Sequence, residues 1–265
     1  MKKILTFLII VLVLSSLGYY LCINSKALGI SFTLSIFYLM WCPGIAGMAT
    51  YLFYDRNIKG IGWGPGDIKW LGFGYILPFL YAAVAYAFIW LAELGKMNSQ
   101  YHFSFMGLVV FGTLMKVLYA AGEEIGWRGF LAPELYKRVG YTASCFITGI
   151  IWAVWHFPLI IAGSYLSNMP LLPQLGLFVI TVTAITFIFN WFRLRSGSVW
   201  PSILLHGSHN LYIQSLFDPL TLSTGPLTKF MMGESGVVLT VIYVALAFVF
   251  WCLRRKLPSP ATFNS

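Results

Sequence analysis

The sequence predicts an all-α, polytopic membrane bundle of about eight transmembrane helices, and three observations predict it. Of 265 residues, 59% are hydrophobic and only 9% charged, against roughly 25% charged in a soluble domain. The apolar residues come in long blocks, and a hydrocarbon core about 30 Å thick needs ~20 helical residues to cross it. The residue-by-residue alternation of a membrane β-barrel is absent. Eight segments meet the length, at about 4–23, 31–54, 70–94, 103–124, 141–164, 172–192, 199–217 and 236–253.

The first segment opens with Met1-Lys2-Lys3 and ILTFLIIVLVL, the charged and apolar regions of a signal peptide. No small-x-small site follows, and Leu21 before Cys22 lacks the small residue of a lipoprotein site. It reads as an uncleaved first span. The fourth segment ends in Glu123-Glu124, the fifth holds His156, and the seventh holds His206, Ser208, His209, Asn210 and Gln214, which makes it the weakest span. The longest connections run to fewer than twenty residues, so no soluble domain fits between spans, and there is no internal repeat or low-complexity tract. Cys22, Cys42, Cys145 and Cys252 sit singly in expected spans without C-x-x-C spacing. They read as packing residues, neither a metal cluster nor a disulfide frame.

Charge fixes the expected orientation. With the amino terminus inside and eight alternating spans, the cytoplasmic side receives Lys2, Lys3, Arg56, Lys59, Lys69, Arg128, Lys137, Arg138, Arg193, Arg195, Arg254, Arg255 and Lys256. The outer side keeps Lys26, Lys96 and Lys229, and Lys116 lies within a span. Thirteen against three obeys the positive-inside rule. The net charge of +9 therefore reflects topology and anionic headgroups. It is no nucleic-acid signal, because no basic stretch is interleaved with exposed aromatics.

Two of only eight acidic residues stand side by side at 123–124, after a mostly apolar run. A carboxylate in such a place costs several kcal/mol unless paired, protonated or wetted, and it hints at function. Helical positions four apart share a face, so Glu124 meets Arg128, while Glu123 lines up with Tyr119 and Trp127 and has no obvious partner. Desolvation raises the pKa of an unpaired carboxylate, which is how a base is poised near neutrality; capping of a cytoplasmic helix end is the plainer alternative. His156 in IWAVWHFP has Trp152 one turn earlier, and Pro158 leaves the carbonyl of Val154 without its donor, which kinks the helix. In PSILLHGSHNLY, Ser202, His206 and Asn210 share a face and His209 points about 60° away. An imidazole and a carboxamide together can hold a polarised carbonyl oxygen, although polar helix–helix gluing is common in membranes. Three such clusters in a chain otherwise poor in intramembrane polar groups are most economically one shared wet pocket. H-E-x-x-H and G-x-S-x-G are both missing.

At these residues the sequence resembles the CPBP family of intramembrane proteases, also called type II CAAX-prenyl-endopeptidase-like or Abi. The pattern Glu-Glu-x-x-x-Arg, aromatic-x-x-x-His, His-x-x-x-Asn/Asp is met by Glu123, Glu124 and Arg128, then Trp152 and His156, then His206 and Asn210. "RGFL" after the arginine agrees, and Trp152 stands where phenylalanine is commoner, a mild departure. The resemblance covers about 107–215, which divides the chain into N-terminal helices (1–106), a catalytic core (107–215) and a C-terminal loop and helix (216–265). It implies peptide-bond hydrolysis in the membrane, with Glu123 and His156 activating water and His206 and Asn210 stabilising the oxyanion. It further implies a hydrophobic peptide or membrane-protein substrate and, in bacteria, roles in bacteriocin immunity, peptide-pheromone processing or surface-protein display.

The expectation is therefore an endopeptidase of a prokaryotic cytoplasmic membrane, with both termini inside and a pocket opening to the cytoplasmic side. A proton-coupled transporter and a catalytically silent immunity or scaffold protein are the alternatives. No cofactor is favoured. Zinc on Glu123, His156 and His206 is the alternative, a known ligand set; against it, Glu124 would have to be the base while tied to Arg128, and no polar partner is apparent for the far ring nitrogen of either histidine. One tension concerns depth. A span ending at 124 leaves Glu123 shallow, whereas a span starting at 141 places His156 roughly 22 Å deep. Either the helices tilt strongly, or the fifth span starts later, after a cytoplasmic-side re-entrant or surface helix over 129–145; the second is favoured, since Pro133, Lys137, Arg138 and Gly140 are poor membrane residues.

Overall fold

The computed structural model describes residues 1–164, 169–261 and 263. The apolar blocks are helices, because a segment without water around it must satisfy its backbone N–H and C=O groups internally. In order they are α1 (Lys2–Ile23), α2 (Phe32–Asp55), α3 (Ile68–Leu91), α4 (Thr113–Gly126), α5 (Ala132–Ile161), α6 (Leu171–Ser196), α7 (Trp200–Tyr212) and α8 (Val237–Cys252). Wider helical turns adjoin α4 at Gly107–Gly112 and Trp127–Leu131 and extend α7 over Ile213–Phe217. A short antiparallel pair, β1 (Lys96–Met97) with β2 (Thr221–Leu222), ties two connections together. The all-helical polytopic bundle is as expected.

Among the described residues six helical runs are long and apolar enough to cross a membrane, where eight were expected. Two expected segments fall within one run, Gly107–Ile161. The seventh, α7, does not qualify, because its histidines, serines and asparagine lower its hydropathy.

The run from Gly107 to Ile161 is broken at Gly140, whose φ of 72° and ψ of −178° are non-helical. A left-handed φ of this kind suits a residue without Cβ. The chain doubles back there: Trp152 touches Glu123, and 29 residues of straight helix would separate them by about 43 Å. Of the re-entrant and surface forms expected for 129–145, this corrects the surface one. Residues 129–136 are buried, and the helix does not stop at 124. Glu123 and His156 lie about equally far on either side of Gly140, which brings them level without displacing the fifth segment.

The connections gather at two ends. At one, Lys3 Nζ donates to Asp55 at 2.5 Å, Arg193 Nη2 to the carbonyl of Gly60 at 2.9 Å, and Val199 N to Gly62 at 3.0 Å. Phe263 joins this end by packing on Tyr136 and lying 5.6 Å from the Arg193 guanidinium. At the other, Asn98 N donates to Leu220 and Tyr101 Oη to Ser215, both at 2.8 Å. The first end carries most of the lysines and arginines.

Glycines set how closely the central helices approach. A Cβ on Gly122 would lie 2.6 Å from the carbonyl oxygen of Met40, and one on Gly126 would lie 2.4 Å from that of Pro43. The backbones of α2 and α4 therefore touch on both sides of Glu123-Glu124, a small-residue contact of the kind membrane helices use. Gly207 does the same for α7, where a Cβ would meet Val117 at 2.8 Å. The first helix is also built in: Phe7 stacks on Phe130, and Trp155 Nε1 donates to Ser15 Oγ at 2.8 Å. Cys22, Cys42 and Cys145 are buried as expected, and Cys252 is exposed.

Candidate active site

The glycine contacts place Glu123 and Glu124 in the middle of the bundle, and neighbouring helical positions must face different ways. Glu123 faces a cavity of about 380 Å³, which His156, His206 and Asn210 also line. Glu124 and Arg128 are not in its wall. They are fully buried behind it, in the layer between α4, α6 and α7.

The expected ion pair is present, with Arg128 Nη1 donating to Glu124 Oε1 at 3.0 Å. The same oxygen accepts from His206 Nδ1 at 2.8 Å, while Oε2 has no partner among the described residues. Arg128 Nη2 donates to Thr186 Oγ1 at 3.2 Å. Its guanidinium lies 4.0 Å from the ring centre of Trp152 and 4.6 Å from that of Phe189. A buried guanidinium gains from aromatic faces when it has lost water. Two charges thus stand in a dry place with one carboxylate oxygen holding both the arginine and the first histidine of α7.

Glu123 is not without a partner, which corrects the reading from spacing. Trp152 Nε1 donates to its Oε2 at 2.7 Å. The tryptophan is accordingly no mild departure from phenylalanine, since only the indole carries an N–H. Trp152 acts on three neighbours: its N–H holds Glu123, its ring covers Arg128, and its carbonyl accepts from His156 Nδ1 at 2.8 Å. That bond fixes the proton of neutral His156 on Nδ1 and makes Nε2 the basic nitrogen. Both histidines therefore have a partner on Nδ1, contrary to the expectation that neither does.

Metal-bound histidines use such partners as well, so these bonds alone do not distinguish a zinc site. Glu123, His156 and His206 share the cavity, yet among the described residues no three His, Cys, Asp or Glu side chains gather closely enough to hold a metal ion. As placed they do not fit one.

The sequence reading missed a second polar group in the same wall. His209, Gln214, Glu234 and Lys116 also line the cavity. His209 Nε2 donates to Glu234 Oε1 at 3.2 Å, and its Nδ1 faces Tyr81 Oη at 2.6 Å. Gln214 Nε2 donates to Glu234 Oε2 at 2.9 Å, and its Oε1 accepts from Lys116 Nζ at 2.7 Å. Burial pushes the Glu234 carboxyl up, but the bonds from His209 and Gln214 outweigh it and hold the group down at about 2. The available signal was Gln214 one turn beyond Asn210; Glu234 lies in a connection and has no helical spacing to give it away.

Ser164, Glu234 and Ser235 extend the cavity wall to the end of the bundle opposite the Lys3–Asp55 and Arg193–Gly60 contacts. The pocket was expected to open at the lysine- and arginine-rich end. It runs the other way, because Glu123 faces back toward the start of α4, past Tyr119 and Lys116.

Residues 104–212 match the profile described as type II CAAX prenyl endopeptidase Rce1-like. Over these residues the chain is similar to the CPBP/CAAX-protease family. The matched segment supplies every residue of the three motifs. The chain is also 31% identical over 128 residues to CAAX prenyl protease 2 of Methanococcus maripaludis, covering 44% of this chain and 46% of that protein. It thus spans about half the length of the relative it matches. With six candidate spans, this is a multi-pass membrane protein.

Proposed function

We propose that the chain is an intramembrane endopeptidase that cleaves a hydrophobic peptide or membrane-protein segment with a water activated by Glu123 and His156. The observation that carries this reading is the shared cavity, in which a carboxylate with one oxygen anchored faces the two histidines and the asparagine of the other motifs. The bond from Trp152 leaves Glu123 Oε1 to accept a proton from water, and His156 Nε2 supplies a second acceptor that orients the same molecule. Water oxygen attacks the carbonyl carbon, and the proton passes to Glu123. The carbonyl oxygen gains negative charge. Asn210 Nδ2 and His206 Nε2 donate to it, the imidazole being charged with Glu124 on its other nitrogen. The proton then moves from Glu123 to the leaving nitrogen as the C–N bond breaks, giving a carboxylic acid and an amine. No metal enters this route. Phe32, Ile36, Leu39, Met40 and Leu159 line the cavity and suit an apolar segment.

The test is purified full-length protein incubated with a peptide library and read by mass spectrometry. Cleavage that disappears in Glu123→Gln supports the proposal. Proton flux into liposomes without cleavage supports the transporter, for which the chain of bonds from Lys116 to Tyr81 speaks. Neither activity in a folded protein leaves the silent immunity or scaffold reading. The membrane is proposed to be a prokaryotic cytoplasmic membrane crossed eight times with both termini inside. Reporter fusions after Lys26 and after Ser265, which lies outside the described residues, then report opposite sides.

A further inference from the structure

A second concavity lies on the outside of the bundle, away from the motif residues. Its floor is α6 and its walls are α5 and α8, with Phe146, Ile150, Phe187, Val244, Phe248 and Trp251 along it and a volume of about 660 Å³. The walls are held to the floor by close contacts: a Cβ on Gly149 would meet Thr183 Cα at 2.7 Å, and Thr181 and Thr240 hydroxyls are 2.6 Å apart. One end is closed, where Trp251 Nε1 donates to Thr142 Oγ1 at 3.1 Å. Phe146, Ile150, Val244 and Phe248 are each about half exposed or more, so along most of its length the groove opens outward on apolar side chains.

Charge distinguishes the closed end. The turn Leu253–Lys256 follows α8 directly and carries Arg254, Arg255 and Lys256 in succession. Arg254 lies on the groove-lining Trp251, with its guanidinium 3.6 Å from the ring centre and Nη1 donating to the Trp251 carbonyl at 2.7 Å. Among the described residues none of the three cations has a carboxylate partner. An apolar channel thus ends against a stack of indole and guanidinium with two further cations beside it. Basic residues next to a membrane-spanning helix attract anionic headgroups, and indole rings settle at the level of those headgroups.

We propose that the α5–α6–α8 groove binds one anionic phospholipid, its acyl chain along the groove and its phosphate on the Arg254–Lys256 turn. The ligand is a membrane lipid and not a substrate, since neither the groove nor the turn touches the cavity that holds Glu123. A neutral lipid of the same chain length gains only the apolar contact. A free headgroup gains only the charge.

The experiment is native mass spectrometry of the full chain, delipidated in detergent and offered phosphatidylglycerol or phosphatidylcholine with identical acyl chains, with glycerol 3-phosphate as the chainless probe. The expected result is one retained phosphatidylglycerol, preferred by roughly tenfold over phosphatidylcholine, and no retained glycerol 3-phosphate. The triple substitution Arg254→Gln, Arg255→Gln, Lys256→Gln should erase the preference. Val244→Trp, placed at a half-exposed position where it can fill the groove without disturbing the core, should reduce retention of both lipids; thermal melting confirms that each variant is folded. Equal retention of the two lipids overturns the proposal, as does a preference that survives the triple substitution. A dimer that Val244→Trp converts to monomer also overturns it, because a second copy would then cover the groove.

Discussion

Two histidines three residues apart on α7 each donate to a carboxylate, in unlike settings. His206 meets Glu124, which is fully buried, comes from a helix pinned by glycine contacts, and is shared with Arg128. His209 meets Glu234, whose side chain is 24% exposed and comes from the connection before α8. The first pair can hardly move without unpacking α2, α4 and α7, whereas the second joins a connection to the bundle at the cavity's far end. The motif histidine is thus positioned by rigid elements and the other by a replaceable tether, although both line one cavity.

If that is right, breaking the inner pair costs most. Arg128→Ala leaves Glu124 uncompensated in a dry layer, and a loss of about 3–5 kcal/mol is expected, read as a large fall in melting temperature. A shift no larger than that of Glu234→Gln would erase the contrast. The next effect in size concerns Trp152→Phe, which keeps the ring over Arg128 and the carbonyl for His156 and removes only the N–H to Glu123. Peptide cleavage should fall about tenfold to hundredfold through kcat with little change in KM. An unchanged kcat would show that the indole N–H does not position the carboxylate.

The outer pair should cost less. Glu234→Gln is expected to lower stability by about 3 kcal/mol at most, since the side chain is 24% exposed and its bonds are partly screened, and its pH dependence has a definite sign. The folded carboxyl titrates at about 2, below the ordinary glutamate value of about 4.3. Its stabilising contribution is therefore complete above pH ~4.3 and is lost as pH falls toward 2. Melting curves of wild type and Glu234→Gln should differ by a constant amount above that window and converge within it; convergence on raising the pH would contradict the assignment. The smallest expected effect is none at all. Chelator should leave cleavage unchanged and elemental analysis should find no stoichiometric metal, whereas activity lost to chelator and restored by zinc would overturn the metal-free route.

The sequence made the motif residues and one of their bonds legible, because Glu124–Arg128 is a contact between helical neighbours four positions apart. The bonds from Trp152 to Glu123 and from His206 to Glu124 span 29 and 82 residues and depend on which helices glycine lets touch, which spacing along one helix does not encode. The depth conflict arose from ending a helix at the last apolar residue. Buried charges that neutralise one another let the helix continue through 124–136. The direction of the cavity was misjudged for the same reason, and Glu234 was invisible because its partners come from α7. The apolar blocks translated well into helices, but the polar face of α7 weakened the very signal by which a span is counted.

The central claim is a division of labour between the adjacent acids, Glu123 for chemistry and Glu124 for holding His206 and Arg128. One paired measurement tests it: Glu123→Gln and Glu124→Gln, each purified, assayed for peptide cleavage and melted side by side. Glu123→Gln is expected to melt like wild type and not to cleave, while Glu124→Gln melts well below wild type. Cleavage by Glu123→Gln, or equal melting of the two variants, would contradict it.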